Sequence, residues 1–84
     1  MTEQSHDLAA MVESIVAPLV DYAEDLSVTS SEDEDGTVLI EISVNEEDAG
    51  KVIGRQGRVI KSIRTLVRAA ASRSDRRVEV EILD

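Results

Sequence analysis

The stretch Val52-Ile53-Gly54-Arg55-Gln56-Gly57-Arg58-Val59-Ile60-Lys61-Ser62-Ile63 places two glycines, with a basic and a polar residue between them, between two apolar segments. Glycines at this spacing are common by chance: at about 7% glycine, roughly 0.4 such tetrapeptides are expected in a chain of this length. Taken alone, the tetrapeptide is better explained by an ordinary corner between two helices. Its context says more. Glycine permits positive φ and leaves the backbone bare, so a ribose-phosphate strand can approach to contact distance. A helix starting at or just after Gly57 would present unpaired amides and the positive end of its dipole to a phosphate. Arg55, Arg58 and Lys61 add cationic charge at the same place.

Beyond Gly57, Val59, Ile60, Ile63, Leu66, Val67 and Ala70 fall on one arc at helical spacing, with Arg58, Lys61, Arg64 and Arg68 on the adjoining arc. Before Gly54, Asn45 is placed to cap a short helix that ends near Ile53 and carries Glu46, Glu47 and Asp48 in its first turn. Upstream again, residues 37–44 alternate as a strand. Val38, Ile40, Ile42 and Val44 face one way, and Leu39, Glu41 and Ser43 face the other. Leu26 and Val28 alternate with Ser27 and Thr29 in a shorter strand, and the acidic run 32–35 with Gly36 reads as the hairpin turn. The chain opens with Leu8, Met11, Val12, Ile15, Val16 and Leu19 at helical spacing, which predicts a helix over residues 5–22 that carries Tyr22. Thr, Ser and Asp near its start are candidate caps, and residues 1–4 are expected to be frayed. Pro18 removes an amide donor inside that helix and predicts a kink or a break. After a turn at Ser74 and Asp75, Val78, Val80 and Ile82 alternate with Glu79 and Glu81 in a last strand.

The order is α-β-β-α-α-β. A hairpin, a helical crossover and a third strand parallel to the second make a three-stranded mixed sheet with the helices on one face, an α+β two-layer sandwich. With 84 residues the chain is expected to form a single domain over 1–84. Its net charge of −9 divides unevenly. Residues 1–50 hold fourteen acids and no base, whereas residues 51–77 hold all nine bases and one acid, Asp75. No apolar run approaches the roughly 18 to 20 residues of a membrane span, no basic-then-apolar leader opens the chain, and Cys is absent. These features predict a cytoplasmic protein with no disulfide and no thiolate chemistry.

The quoted segment resembles the signature of the KH RNA-binding domain, in which an apolar pair precedes the glycine loop and an isoleucine, here Ile60, falls three residues after it. The element order is similar to the type II, bacterial form of that fold, and the chain resembles the small single-domain KH proteins of the KhpA type over essentially its whole length. The resemblance implies that four nucleotides of single-stranded RNA lie in a groove, with their backbone clamped by the glycine loop. It matches Gly54, Arg55, Gln56 and Gly57 to the clamp and Ile53 and Ile60 to apolar positions flanking it, and gives the opposite groove wall to the strand over 37–44; with the cations Lys51, Arg58 and Lys61 these are the candidate RNA-binding residues. It also implies self-association, pairing with a second KH-containing protein of the KhpB type, and work as an RNA chaperone or post-transcriptional regulator. With one Tyr and neither Phe nor Trp, base stacking on aromatics is excluded and an aliphatic groove is favoured.

Other chemistries lack materials. Ser31, Asp33, Asp35 and Gly36 imitate part of a calcium loop, but Ile42 stands where a bidentate Glu is required. A phosphate loop ending at Gly50 and Lys51 would need Ser or Thr next and Gly where Asn45 stands. His6 is the only histidine, so neither a triad nor a zinc centre can be assembled. No enzyme, metal or cofactor is expected. Two rivals remain beside RNA binding. One is a KH-fold protein-docking module acting through its acidic first helix or the Leu39 face; the other is a DNA-binding helix-turn-helix, disfavoured by the glycine-rich corner and the strands.

Overall fold

The computed structural model describes the backbone of residues 3–83 and the side chains of residues 5–83. Its elements are α1 (Glu3–Val16), β1 (Ser27–Glu32), β2 (Val38–Ser43), α2 (Ala49–Ile53), α3 (Arg58–Ser72) and β3 (Val78–Leu83). The expected α+β order is therefore present. β2 is central, antiparallel to β1 and parallel to β3.

Alternation along β2 decides which face is buried. Val38, Ile40 and Ile42 are wholly buried and pair laterally with Val78, Val80 and Ile82 of β3, forming an aliphatic floor. On this floor lie Leu8, Val12 and Val16 of α1 and Ile60, Ile63, Val67 and Ala71 of α3. The outer face carries Leu39, Glu41, Glu79 and Glu81, and Leu39 is half-buried there, between Ser31 and Glu79 in the register. Among the described residues no helix is long and apolar enough to cross a membrane.

Several elements differ from the sequence expectation. α1 stops at Val16 instead of running to Tyr22, because Pro18 lies in a single 3-10 turn (Ala17–Leu19) and cannot continue the α-helical hydrogen-bond ladder. Val20 is then extended, and Tyr22 stands in the connection to β1. Residues 3 and 4 are helical rather than frayed; Met1 and Thr2, at the end where a cap was expected, lie outside the described residues. β1 continues to Glu32, so the acidic run supplies a strand residue and a shorter turn. Glu32 can sit on the inner face because Ser5 Oγ donates to its Oε1 at 2.7 Å and Arg76 ion-pairs with it. Asp33 closes the turn, its Oδ1 accepting the amides of Asp35 and Thr37, each at 2.9 Å.

A further difference is a rotation of α3. Leu66, expected on the inner arc, is 50% exposed, and Ala71 takes the core position. Ile63→Ala, at a side chain only 1% exposed, is expected to cost about 2 to 5 kcal/mol in urea denaturation. Leu66→Ala should cost under about 0.5 kcal/mol. Equal costs would show that α3 is seated differently.

Candidate nucleic-acid interface

The connection from β2 to α2 begins with an Asx turn: Asn45 Oδ1 accepts the Glu47 amide at 2.9 Å, and the Asn45 carbonyl accepts the Asp48 amide at 2.8 Å. Glu46, Glu47 and Asp48 thus precede α2 and do not form its first turn, contrary to the sequence expectation. Asp48 turns inward. Its buried carboxylate accepts the amides of Asp21 and Tyr22, each at 3.0 Å, and the Lys51 ammonium at 3.1 Å. Burial pushes the Asp48 carboxyl up, but the two amides and Lys51 outweigh it and hold the group below the ordinary carboxylate range. Lys51 bonds Asp21 as well, and these two carboxylates raise its pKa against the opposing effect of burial. Tyr22, half-exposed, has its phenol raised chiefly by a hydrogen bond with Glu47, then by burial and the nearby Asp48 and Asp21.

α2 ends where the Gly54 amide bonds the Gly50 carbonyl at 2.8 Å, and the chain turns through a 3-10 turn (Arg55–Gly57) into α3. Three residues of this corner have positive φ: Gly54 at 79°, Gln56 at 57° and Gly57 at 74°. The glycines answer to different demands. A Cβ on Gly54 would lie 2.4 Å from Val59 Cγ2, so any side chain there collides with α3. A Cβ on Gly57 would meet nothing closer than Lys61 Cε at 3.9 Å; only its left-handed backbone favours glycine. No side chain caps α3; the Arg58 amide bonds the Arg55 carbonyl, and Arg55, Arg58 and Lys61 stand exposed around this helix end. Arg58 Nη2 donates to Gln56 Oε1 at 3.2 Å, across the top of the loop. Among the described residues only Lys51 and Arg76 make ion pairs, so the other cations of this corner keep their charge unpaired although the chain holds eighteen acids.

The KhpA/KhpB KH-domain family profile matches residues 9–82. The chain belongs to that family. It is 44% identical over 84 residues to the RNA-binding protein KhpA of Bacillus subtilis, covering 100% of both chains. It is 47% identical over 78 residues to the protein of the same name in Halalkalibacterium halodurans, covering 92% of this chain and 100% of the relative. The KhpA of Listeria monocytogenes is 46% identical over 74 residues, 88% of this chain and 96% of its own. No solved structure matches the chain. RNA-binding KH proteins are not a class of enzyme.

Against the KH family's motif, the predicted residues divide into three groups. Arg55, Gln56, Arg58 and Lys61 are exposed at the corner, with Gly54 and Gly57 half-buried beneath them. Ile53 is 39% exposed, while Ile60 is buried at 6% and belongs to the core. Lys51 is tied to Asp48 and Asp21. The groove wall also moves. β2 is central, with both edges paired, and the strand beside the basic arc is β3, where Arg64 Nε donates to the Val80 carbonyl at 3.2 Å. Asp48 escaped the sequence reading as a buried joint; its only sign there is a lysine three residues on.

Two outcomes follow. Gly57→Ala should cost about 1 to 2 kcal/mol, the penalty of a left-handed backbone, whereas Gly54→Ala should cost more and disturb α3, as read by denaturation and amide spectra. The Asp48 joint should be complete above about pH 4 and be lost as the pH falls through its depressed pKa; for Lys51 it should be complete below about pH 10 and be lost above its raised pKa. The melting-temperature gap between wild type and Asp48→Asn should therefore close on acidification below pH 4. A gap that persists would show that the carboxylate charge does not matter.

Proposed function

We propose that this chain, as a single KH domain over residues 1–84, binds single-stranded RNA through the corner at Gly54 to Gly57. One observation carries the reading: a backbone turn bare of bulk leads into the uncapped N-terminus of a helix whose only charges are cations, none of them ion-paired among the described residues. A phosphate there meets the positive end of the α3 dipole and the side chains of Arg55, Arg58 and Lys61. Gly54 and Gly57 admit the sugar-phosphate backbone, Gln56 offers an amide, and Ile53 offers an exposed aliphatic surface to a base. Ile60 supports the groove from below. Lys51 contributes through its joint with Asp48, which sets the angle of α2, and part of its side chain stays exposed for the strand.

The relatives are named RNA-binding proteins, which agrees with this reading. The protein acts in the cytoplasm by binding and catalyses no reaction, as an RNA chaperone or post-transcriptional regulator. A four-nucleotide contact is weak by itself, so self-association, or pairing with a KhpB-type protein, raises the effective concentration of the second contact. The family profile is one that KhpA and KhpB proteins share.

Replacing Arg55 and Gln56 together by Asp is expected to abolish measurable binding to single-stranded RNA while circular dichroism and melting temperature stay close to wild type. In a salt titration of the wild type, log affinity should fall against log salt with a slope of roughly −0.7 per phosphate neutralised. Unchanged affinity in the double variant, or salt-independent binding, would sink the proposal.

A further inference from the structure

The bases of residues 51–77 do not form one cluster. α3 is 15 residues long, so about 22 Å separates its two ends. Arg55, Arg58 and Lys61 stand at the glycine corner. Arg68, Arg76 and Arg77 stand at the other end, where the chain leaves α3 and enters β3. Arg68 and Arg77 make no ion pair among the described residues. They line a groove of ≈390 Å³ with Thr37, Arg76, Val78 and Glu79.

Three features make this a built arginine corner and not a solvated charge run. Arg76 is fixed by Glu32, and its Nε is buried with no hydrogen-bond partner. The Arg77 carbonyl accepts the Val38 amide at 2.9 Å, so the segment carrying both arginines is bonded to the start of β2. A neighbouring cavity of ≈660 Å³ shares Arg76 and Arg77 and adds Asp35 and Asp75. Those acids repel an anion from that side and leave the side toward Arg68 as the favourable approach.

Arg58, Lys61, Arg64 and Arg68 recur every three or four residues, about 5 Å apart along the helix axis; Arg64 bonds the Val80 carbonyl of β3, and Arg68 shares its groove with Val78 and Glu79 of that strand. We infer that the RNA strand does not end at the glycine corner: it continues along this arc beside β3, and Arg68 and Arg77 hold a second group of its phosphates. The inference rests on the RNA reading of the glycine corner and extends its footprint beyond the clamped nucleotides.

Two oligouridines, of four and twelve nucleotides, separate the two contacts when titrated at several salt concentrations against wild type and Arg68→Gln/Arg77→Gln. Both arginines are exposed, and the bond noted for Arg77 uses its carbonyl, so the folded state is expected to survive, with an unchanged circular dichroism spectrum as the check. Wild type should bind the longer strand more tightly and with a salt slope steeper by at least about 1.4, since each phosphate neutralised contributes about 0.7. The double variant should bind the four-nucleotide strand as wild type does and lose about 1.4 of the slope on the longer one. Equal behaviour of variant and wild type on both strands would overturn the second contact. Loss of the four-nucleotide strand in the variant would overturn it too, because the arginines would then belong to the clamp. If wild type binds neither strand, the reading of the glycine corner itself has failed.

Discussion

The approach of Gly54 to Val59 is the constraint on which the site depends. A Cβ at Gly54 would fall 2.4 Å from Val59 Cγ2, so α2 and α3 meet at a separation that no other residue type allows. That closeness lets Val52 of the short helix and Ile60 and Ile63 of the long one enter the same core. It also pushes the intervening residues outward, since the corner has no interior left to occupy. Gln56 accordingly takes a left-handed conformation without being glycine, at a cost of about 1 to 2 kcal/mol, which the packing on either side holds in place. The exposed loop is thus a product of core packing, and its uncapped amides follow from the absence of a Ser, Thr, Asp or Asn at the residue before α3, where glycine is needed for the turn.

Asp48 does for the other end of α2 what Gly54 does for its C-terminus. Five residues make too short a helix to hold its own direction, because helix formation has a costly nucleus. A buried carboxylate bonded to two amides of the connection before β1, and to Lys51 one turn on, ties that helix to a segment almost thirty residues earlier in the chain. An unpaired charge in that position would be strongly destabilising. Three donors converging on it give a polar joint that is specific in direction, which an apolar contact would not be.

What could be read from the sequence followed from periodicity. Alternation of Val38, Ile40 and Ile42 gave the central strand and its buried face, and the glycine spacing gave the corner and the start of α3. Legibility failed where a polar residue's partner is distant in sequence. Glu32 reads as turn material until Ser5 and Arg76 are seen to satisfy it, and Asp48 reads as a helix-dipole acid until Asp21 and Tyr22 come round to meet it. On α3 the arc was right to within one helical step, but Leu66 and Ala71 exchanged places. Side-chain size alone favours Leu inside, whereas Ala71 is wholly buried and Leu66 is 50% exposed. Ile60 and Lys51 show the same limit at the site. A family motif names positions, and only packing decides which of them faces a ligand.

The charge distribution explains how a chain of net −9 can attract a polyanion. At physiological ionic strength the field of an exposed charge decays over about 8 Å, so a phosphate at the glycine corner responds to the few charges around it more than to the total. Nearest to it are Arg55, Arg58 and Lys61, with Lys51 already neutralised by Asp48 and Asp21. The unneutralised acids lie on the outer sheet face, in the hairpin turn, along α1 and in the connections at Glu24, Asp25, Glu46 and Glu47. They act instead on approach: a strand that arrives against the sheet face is repelled, and one that arrives over α3 is not. The acidic majority therefore gives orientation to a contact whose attraction is local, and the same separation limits sequence-blind adhesion to nucleic acid that a uniformly basic surface of this size would show.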